Sequence, residues 1–224
     1  MAEFKPDIMY LTTTDYVQHK HAPGTPEANR FYAMFDQYLG QLDAAGAAIA
    51  ITADHGMSAK FDSTGAPAVI YVQDLLDDWL RADAARVILP ITDPYVVHHG
   101  ALGSFATAYL SDDIDGAALQ HRLSAVDGID VVLNKAEAAA RFELPADRIG
   151  DLVIVSSEHM TLGTRQTDHD LSMLDAPLRS HGGISEQAVP LVFNRVVSDA
   201  RAKPRNFDAI SLLLAAKPSE NISA

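Results

Sequence analysis

Cysteine is absent from this 224-residue chain, tryptophan occurs once, and basic residues are scarce: 17 Lys and Arg stand against 30 Asp and Glu, a net charge of -13. Each shortage excludes something. Without thiols there is no disulfide framework, no thiolate nucleophile and no Cys-ligated metal, so a metal must sit on His, Asp or Glu. A surface this acidic repels phosphate backbones and anionic lipid, which argues against nucleic acid or a membrane surface as the partner. Long apolar runs are missing too. The stretch from Ala44 to Ala53 is about half the length of a membrane-spanning helix, and Met1 to Asp7 does not read as a signal peptide. A soluble, cytoplasmic protein is expected. What the chain does have is a 48% hydrophobic content, enough for one large domain or a core with a smaller insert.

Alternating strand and helix patterns predict an α/β fold. Ile8 to Thr14 is short, apolar and β-branched, and reads as a buried strand. Thr25-Pro26-Glu27 then supplies an N-cap, a first-turn proline and an acid, followed by Phe31, Phe35, Tyr38, Leu39 and Leu42 at helical spacing, until Gly46 ends the helix. Ala47 to Ala53 reads as a strand covered on both faces, and a right-handed crossover would make it parallel to the first. Further strands are expected at 68–72 and 86–91, with a helix at 74–82 between them. The stretches 104–110 and 129–133, with a helix at 115–126, suggest a β-α-β module, while 151–156 and the segment 159–162 return towards the core, which 190–194 and a helix at 208–215 complete. Asn134 and Glu137 form the signature of a capping box. The quick alternation in the middle predicts an inserted α+β cap, partly antiparallel. The expected division is a first core segment at 1–84, the cap at 85–180, a returning core segment at 181–217 and a loose tail at 218–224.

Chemistry collects where strands end. Asp15 and His19 are four residues apart, so one helical turn would bring both onto one face. The competing reading makes Asp15 a helix cap and His19 a solvated loop residue. Asp54-His55-Gly56 leaves a buried strand, with Gly56 permitting positive φ or close approach. Ser180-His181-Gly182-Gly183 is a third polar loop able to wrap closely around an ion. Asp15, His19, Asp54, His55 and His181 thus combine hard oxygen with imidazole, a set suited to Zn2+, with Mn2+ or Fe2+ as alternatives. Five ligands exceed one tetrahedral ion, which points to a two-metal site of the kind that clamps in-line displacement at phosphorus. His98-His99-Gly100 resembles a further ligand loop but lies within the predicted insert.

The stretches 14–28 (TDYVQHKHAPGTPEA), 52–57 (TADHGM), 91–100 (ITDPYVVHHG) and 178–186 (LRSHGGISE) resemble the alkaline phosphatase superfamily, and more narrowly the phosphonoacetate hydrolases. The resemblance covers only the later part of that family's sequence. It implies an alkaline-phosphatase-like α/β fold, a largely parallel sheet flanked by helices, with the N-terminal part of the core absent. It also implies zinc-dependent cleavage of the C–P bond of phosphonoacetate, a small-molecule phosphonate, to acetate and phosphate. Carried over by residue, Asp15, His19 and His181 would hold one zinc and Asp54 and His55 the second. The family's remaining aspartate ligand and its threonine nucleophile match no residue here. Substrate-contact candidates are His98, His99 and Arg179. The alternatives are a phosphodiesterase or nucleotide pyrophosphatase of the same superfamily, and a non-catalytic metal-binding remnant. An exposed core edge is expected to favour a homodimer or other association.

Overall fold

A computed structural model describes residues 6–91, 102–197 and 203–216. His98, His99 and the expected tail at 218–224 lie outside the described residues.

The centre of the molecule is a four-stranded sheet in the order β4 (Ala85–Ile88), β5 (Phe105–Leu110), β7 (Leu152–Ser156), β6 (Ile129–Asn134), antiparallel throughout. Its helices are α3 (Val72–Trp79), α4 (Gly116–Ser124) and α5 (Lys135–Phe142). Local chemistry starts α4 and α5 where the sequence indicated. The Asp115 carboxylate accepts from the N–H groups of Ala117 and Ala118, and Asn134 and Glu137 exchange both bonds of a capping box. Strand β7 shows why its sequence is apolar without alternation. Leu152 and Ile154 face Leu119 and Leu123 of α4 together with Val72 and Leu76 of α3, while Val153 and Val155 face Ala138 of α5 on the other side. Successive strand residues point to opposite faces, so a strand covered on both is apolar at every position. Each such side chain contributes about 1.5–3 kcal/mol by burial.

Three two-stranded ladders make up the rest of the strand pairing among the described residues. β3 (Val69–Tyr71) runs parallel to β8 (Thr161–Gly163). β2 (Ser58–Ala59) pairs antiparallel with β9 (Arg179–Ser180), and β1 (Ala50–Thr52) pairs antiparallel with β10 (Leu191–Phe193). The expectation of a largely parallel sheet is therefore corrected: among the described residues only β3 and β8 pair in parallel. The local pattern β5–α4–β6 is that of a crossover, but β7 enters between its two strands and runs the other way. Nothing in a local pattern reveals which strand fills a gap.

A second correction concerns Ile8 to Thr14. These residues form no strand, and Ile8, Met9, Tyr10 and Leu11 are all more than half exposed. β-branched composition favours a pleated conformation only where a neighbouring strand accepts its hydrogen bonds, and no described strand lies beside this run. The following helix α2 (Pro26–Ala44) forms as its cap predicts, with Thr25 accepting from the Ala28 N–H. Phe31, Phe35, Leu39 and Leu42 are half-buried on one face, whereas Tyr32, Met34 and Tyr38 are exposed. Helix α6 (Ala209–Leu214) packs near β1.

Candidate metal centre

Three segments far apart in sequence meet at one point. The first is the turn that becomes α1 (Tyr16–Lys20). The His19 N–H donates to the Asp15 carbonyl at 3.0 Å, and this single turn places His19 Nε2 3.2 Å from Asp15 Oδ2. The Asp15 side chain makes no capping bond, so the helix-cap alternative does not describe it. The second segment is the loop after β9. It carries His181, whose Nε2 lies 3.9 Å from the same Asp15 oxygen. One ligand atom from each of Asp15, His19 and His181 lies within 4.8 Å of the others.

The third segment is the Asp-His-Gly turn after β1. His55 Nε2 lies 3.9 Å from Asp15 Oδ2 and 3.7 Å from Asp54 Oδ2. The His55 ring stacks on His181, centroids 3.6 Å and planes 6° apart. Asp54 faces outward, its side chain 88% exposed. Of the two conformational roles open to Gly56, the structure uses close approach. Its N–H donates to the Glu186 carbonyl at 2.7 Å, and a Cβ would stand 3.3 Å from that oxygen. Gly182, next to His181, does have a positive φ of 98°, and a Cβ there would collide with Ile91.

The rings are oriented from behind. His19 Nδ1 lies 2.9 Å from the Arg179 carbonyl, so a proton on Nδ1 donates there and leaves the Nε2 lone pair facing the cluster. His55 Nδ1 makes the equivalent contact with the Gly56 carbonyl at 2.9 Å. Arg179 itself is buried. Its guanidinium donates to the carbonyls of Gln18 at 2.8 Å and Met57 at 3.4 Å, joining α1 to the segment after Asp-His-Gly. Arg179, a substrate-contact candidate from sequence, thus bridges two of the ligand loops.

The charge states suit a cation. The His19 ring beside it, with Nε2 3.2 Å from Oδ2, holds the Asp15 carboxyl below the ordinary carboxylate range, in spite of burial. Burial, reinforced by the neighbouring His55 and His19 rings, pushes His181 down to about 4, so its ring is neutral and its lone pair available at neutral pH. One carboxylate and two imidazoles whose ligand atoms lie within 4.8 Å of one another form a donor set able to hold a divalent metal ion.

Sequence reading missed the supports. Lys60, Ser104 and Glu186 are buried polar residues just behind the loops. Their composition carries no signal, since a lysine after a strand or a glutamate in a short turn is ordinary. A supporting carbonyl such as that of Arg179 has no signature in sequence at all.

The type I phosphodiesterase/nucleotide pyrophosphatase family model matches residues 6–183. Among solved structures, the chain is similar to phosphonoacetate hydrolase from Sinorhizobium meliloti 1021, in complex with phosphonoformate and with phosphonoacetate. Both comparisons give 66% identity and a TM-score of 0.90, covering 96% of this chain and 53% of that one. A phosphonoacetate hydrolase from Penicillium oxalicum is 58% identical over 40 residues, 16% of this chain and 56% of that one. Murine ectonucleotide pyrophosphatase/phosphodiesterase 5, inactive and in complex with AMP, is 19% identical with a TM-score of 0.59 over 92% of this chain and 52% of that one, a likeness of fold. The chain spans about half the length of these relatives, and the resemblance to phosphonoacetate hydrolase read from the four sequence stretches is borne out. The chain belongs to the type I phosphodiesterase/nucleotide pyrophosphatase family.

Proposed function

We propose that this chain carries the metal-holding part of a phosphonoacetate hydrolase. Asp15, His19 and His181 hold one divalent cation, zinc in the first instance, and Asp54 and His55 contribute to a second. The reaction is hydrolysis of phosphonoacetate, in which water is consumed, the C–P bond breaks, and acetate and phosphate leave. The observation that carries this reading is the convergence of Asp15, His19 and His181 within 4.8 Å from segments some 160 residues apart, in a chain 66% identical to a phosphonoacetate hydrolase.

When bound, the cations supply Lewis-acid stabilisation of charge on the phosphonate oxygens and a locally positive site within an acidic protein. The chain's own residues do the rest by position. The Arg179 carbonyl fixes the tautomer of His19, the Gly56 carbonyl that of His55, and burial keeps His181 neutral. The family's threonine nucleophile has no counterpart among the matched stretches, so in this reading the attacking group is not supplied by this chain. The segment 85–180 is assigned to a cap beside the site, a role supported by its antiparallel sheet. The family match leaves a second reading, a phosphodiesterase or nucleotide pyrophosphatase.

Metal analysis of the purified chain, combined with phosphate release from phosphonoacetate and ester cleavage of an aryl phosphodiester, tests both. Two metals and phosphate release lost in His181→Ala support a working phosphonoacetate hydrolase. Cleavage of the ester alone supports the second reading. Metal bound without turnover supports a metal-holding part that lacks its own attacking group, and no bound metal overturns the assignment.

A further inference from the structure

Behind the cluster lies a buried ion pair between Lys60 and Glu186. The side chains of Lys60 and Glu186 are 0% and 1% exposed, with Nζ 3.2 Å from Oε1. Lys60 Nζ also donates to Ser104 Oγ at 2.7 Å and to the Glu158 carbonyl at 2.6 Å. The Glu186 carboxylate accepts from the Gly183 N–H at 2.7 Å and from Ser185 Oγ at 2.8 Å. Burial works against its charge, yet hydrogen bonds from Ser58 and Ser185 and the nearby ammonium hold its pKa low.

The partners of this pair are the notable feature. Lys60 stands five residues after His55, and its own N–H donates to the Leu178 carbonyl, three residues before His181. Ser104, which Lys60 grips, donates its N–H to the His181 carbonyl at 2.8 Å. Glu186 grips Gly183, two residues beyond His181, while its carbonyl receives the Gly56 N–H, one residue beyond His55. The 181–183 loop is thus held on both sides of its histidine, and the same pair ties it to the His55 turn and, through Ser104 and Glu158, to the four-stranded sheet. Ion pairs of this kind contribute little net stability, because desolvation offsets their attraction and apolar residues of similar volume often serve as well. Their specific product is geometry.

Resting on the metal reading above, we infer that Lys60 and Glu186 are positioning residues for the metal centre, setting where His181 stands relative to Asp15 and His19 and to the stacked ring of His55.

The test compares Zn2+ affinity, measured by competition with a chromophoric chelator, in the wild-type chain, Glu186→Gln, the apolar double variant K60M/E186M, and His181→Ala. Melting temperature and amide hydrogen exchange at Gly56 and Gly183 are followed in the metal-free chains. The double variant is expected to fold, bind zinc roughly 10- to 100-fold more weakly, and exchange its Gly183 amide faster. Should it fail to fold, Glu186→Gln keeps the shape while removing the charge, and is expected to lose zinc affinity in the same direction. Wild-type zinc affinity in a folded variant overturns the inference and leaves the pair a structural element only. A wild-type chain that takes up no zinc, or a His181→Ala chain that binds it undiminished, overturns the metal reading and the inference with it.

Discussion

His181 stacks on His55 with ring centroids 3.6 Å apart and planes within 6°. Two imidazoles in such contact repel one another if both are charged, and burial of His181 adds to the cost of protonating it. The metal-free chain should therefore show a stability step on the acid side. The folded-state pKa of His181, about 4, is below its unfolded value of about 6.5. In that direction the stability is fully present above the unfolded value and is lost as pH falls through the window from about 6.5 to about 4. Thermal denaturation against pH in the presence of chelator should show this fall, and His181→Leu should flatten it. An equally steep fall in the variant would assign the step to other groups.

Zinc should stabilise the folded chain by linkage. At a free concentration one hundred times the dissociation constant the gain is about 2.7 kcal/mol per site, read as a rise in melting temperature that chelator reverses. Asp15→Asn, His19→Ala and His181→Ala should each abolish most of the rise. Asp54→Asn should remove at most the second equivalent of metal, because its carboxylate is 88% exposed and stands outside the three-residue group. Titration calorimetry with metal counting tells one bound equivalent from two.

Arg179→Met distinguishes a brace from a substrate contact. Loss of the guanidinium leaves the carbonyls of Gln18 and Met57 without their donor, at a cost of about 1–3 kcal/mol, and weakens zinc binding because α1 loosens. A residue that served only to bind phosphonate would leave the zinc titration of the variant identical to the wild type.

Core truncation in the sheet should be costly and independent of metal. Leu123 is fully buried among Ala106, Leu152 and Ile154, so Leu123→Ala should destabilise by about 2–5 kcal/mol. Urea denaturation with and without zinc should give the same difference.

The exposed apolar residues predict self-association. Ile8, Met9, Tyr10 and Leu11 are four consecutive exposed large apolar residues, and Tyr32, Met34 and Tyr38 of α2 are exposed as well. Sedimentation velocity should show species larger than a monomer that grow with concentration, and Tyr10→Asp combined with Leu11→Asp should reduce them. A concentration-independent monomer would show that this surface is tolerated in water.

Most of the element list was determined by sequence alone, because helix starts and buried strands are local events. Thr25 with Pro26, Asp115, and Asn134 with Glu137 each satisfy backbone donors within three residues, so nothing distant can change their meaning. The candidate ligands were legible for a related reason: a carboxylate and an imidazole one helical turn apart, or adjacent at a strand end, can meet without help from elsewhere. Tertiary structure decided what depends on partners. Ile8 to Thr14 has strand composition but no neighbouring strand, β7 took the place between β5 and β6, and β1 found β10 running the opposite way. Likewise, sequence named His181 as a candidate ligand, but only the fold brought it to Asp15 and placed Lys60, Ser104 and Glu186 behind it. Those contacts join segments 44 to 126 residues apart. Pairing over such distances is set by the packing of whole elements, which no short window of sequence contains.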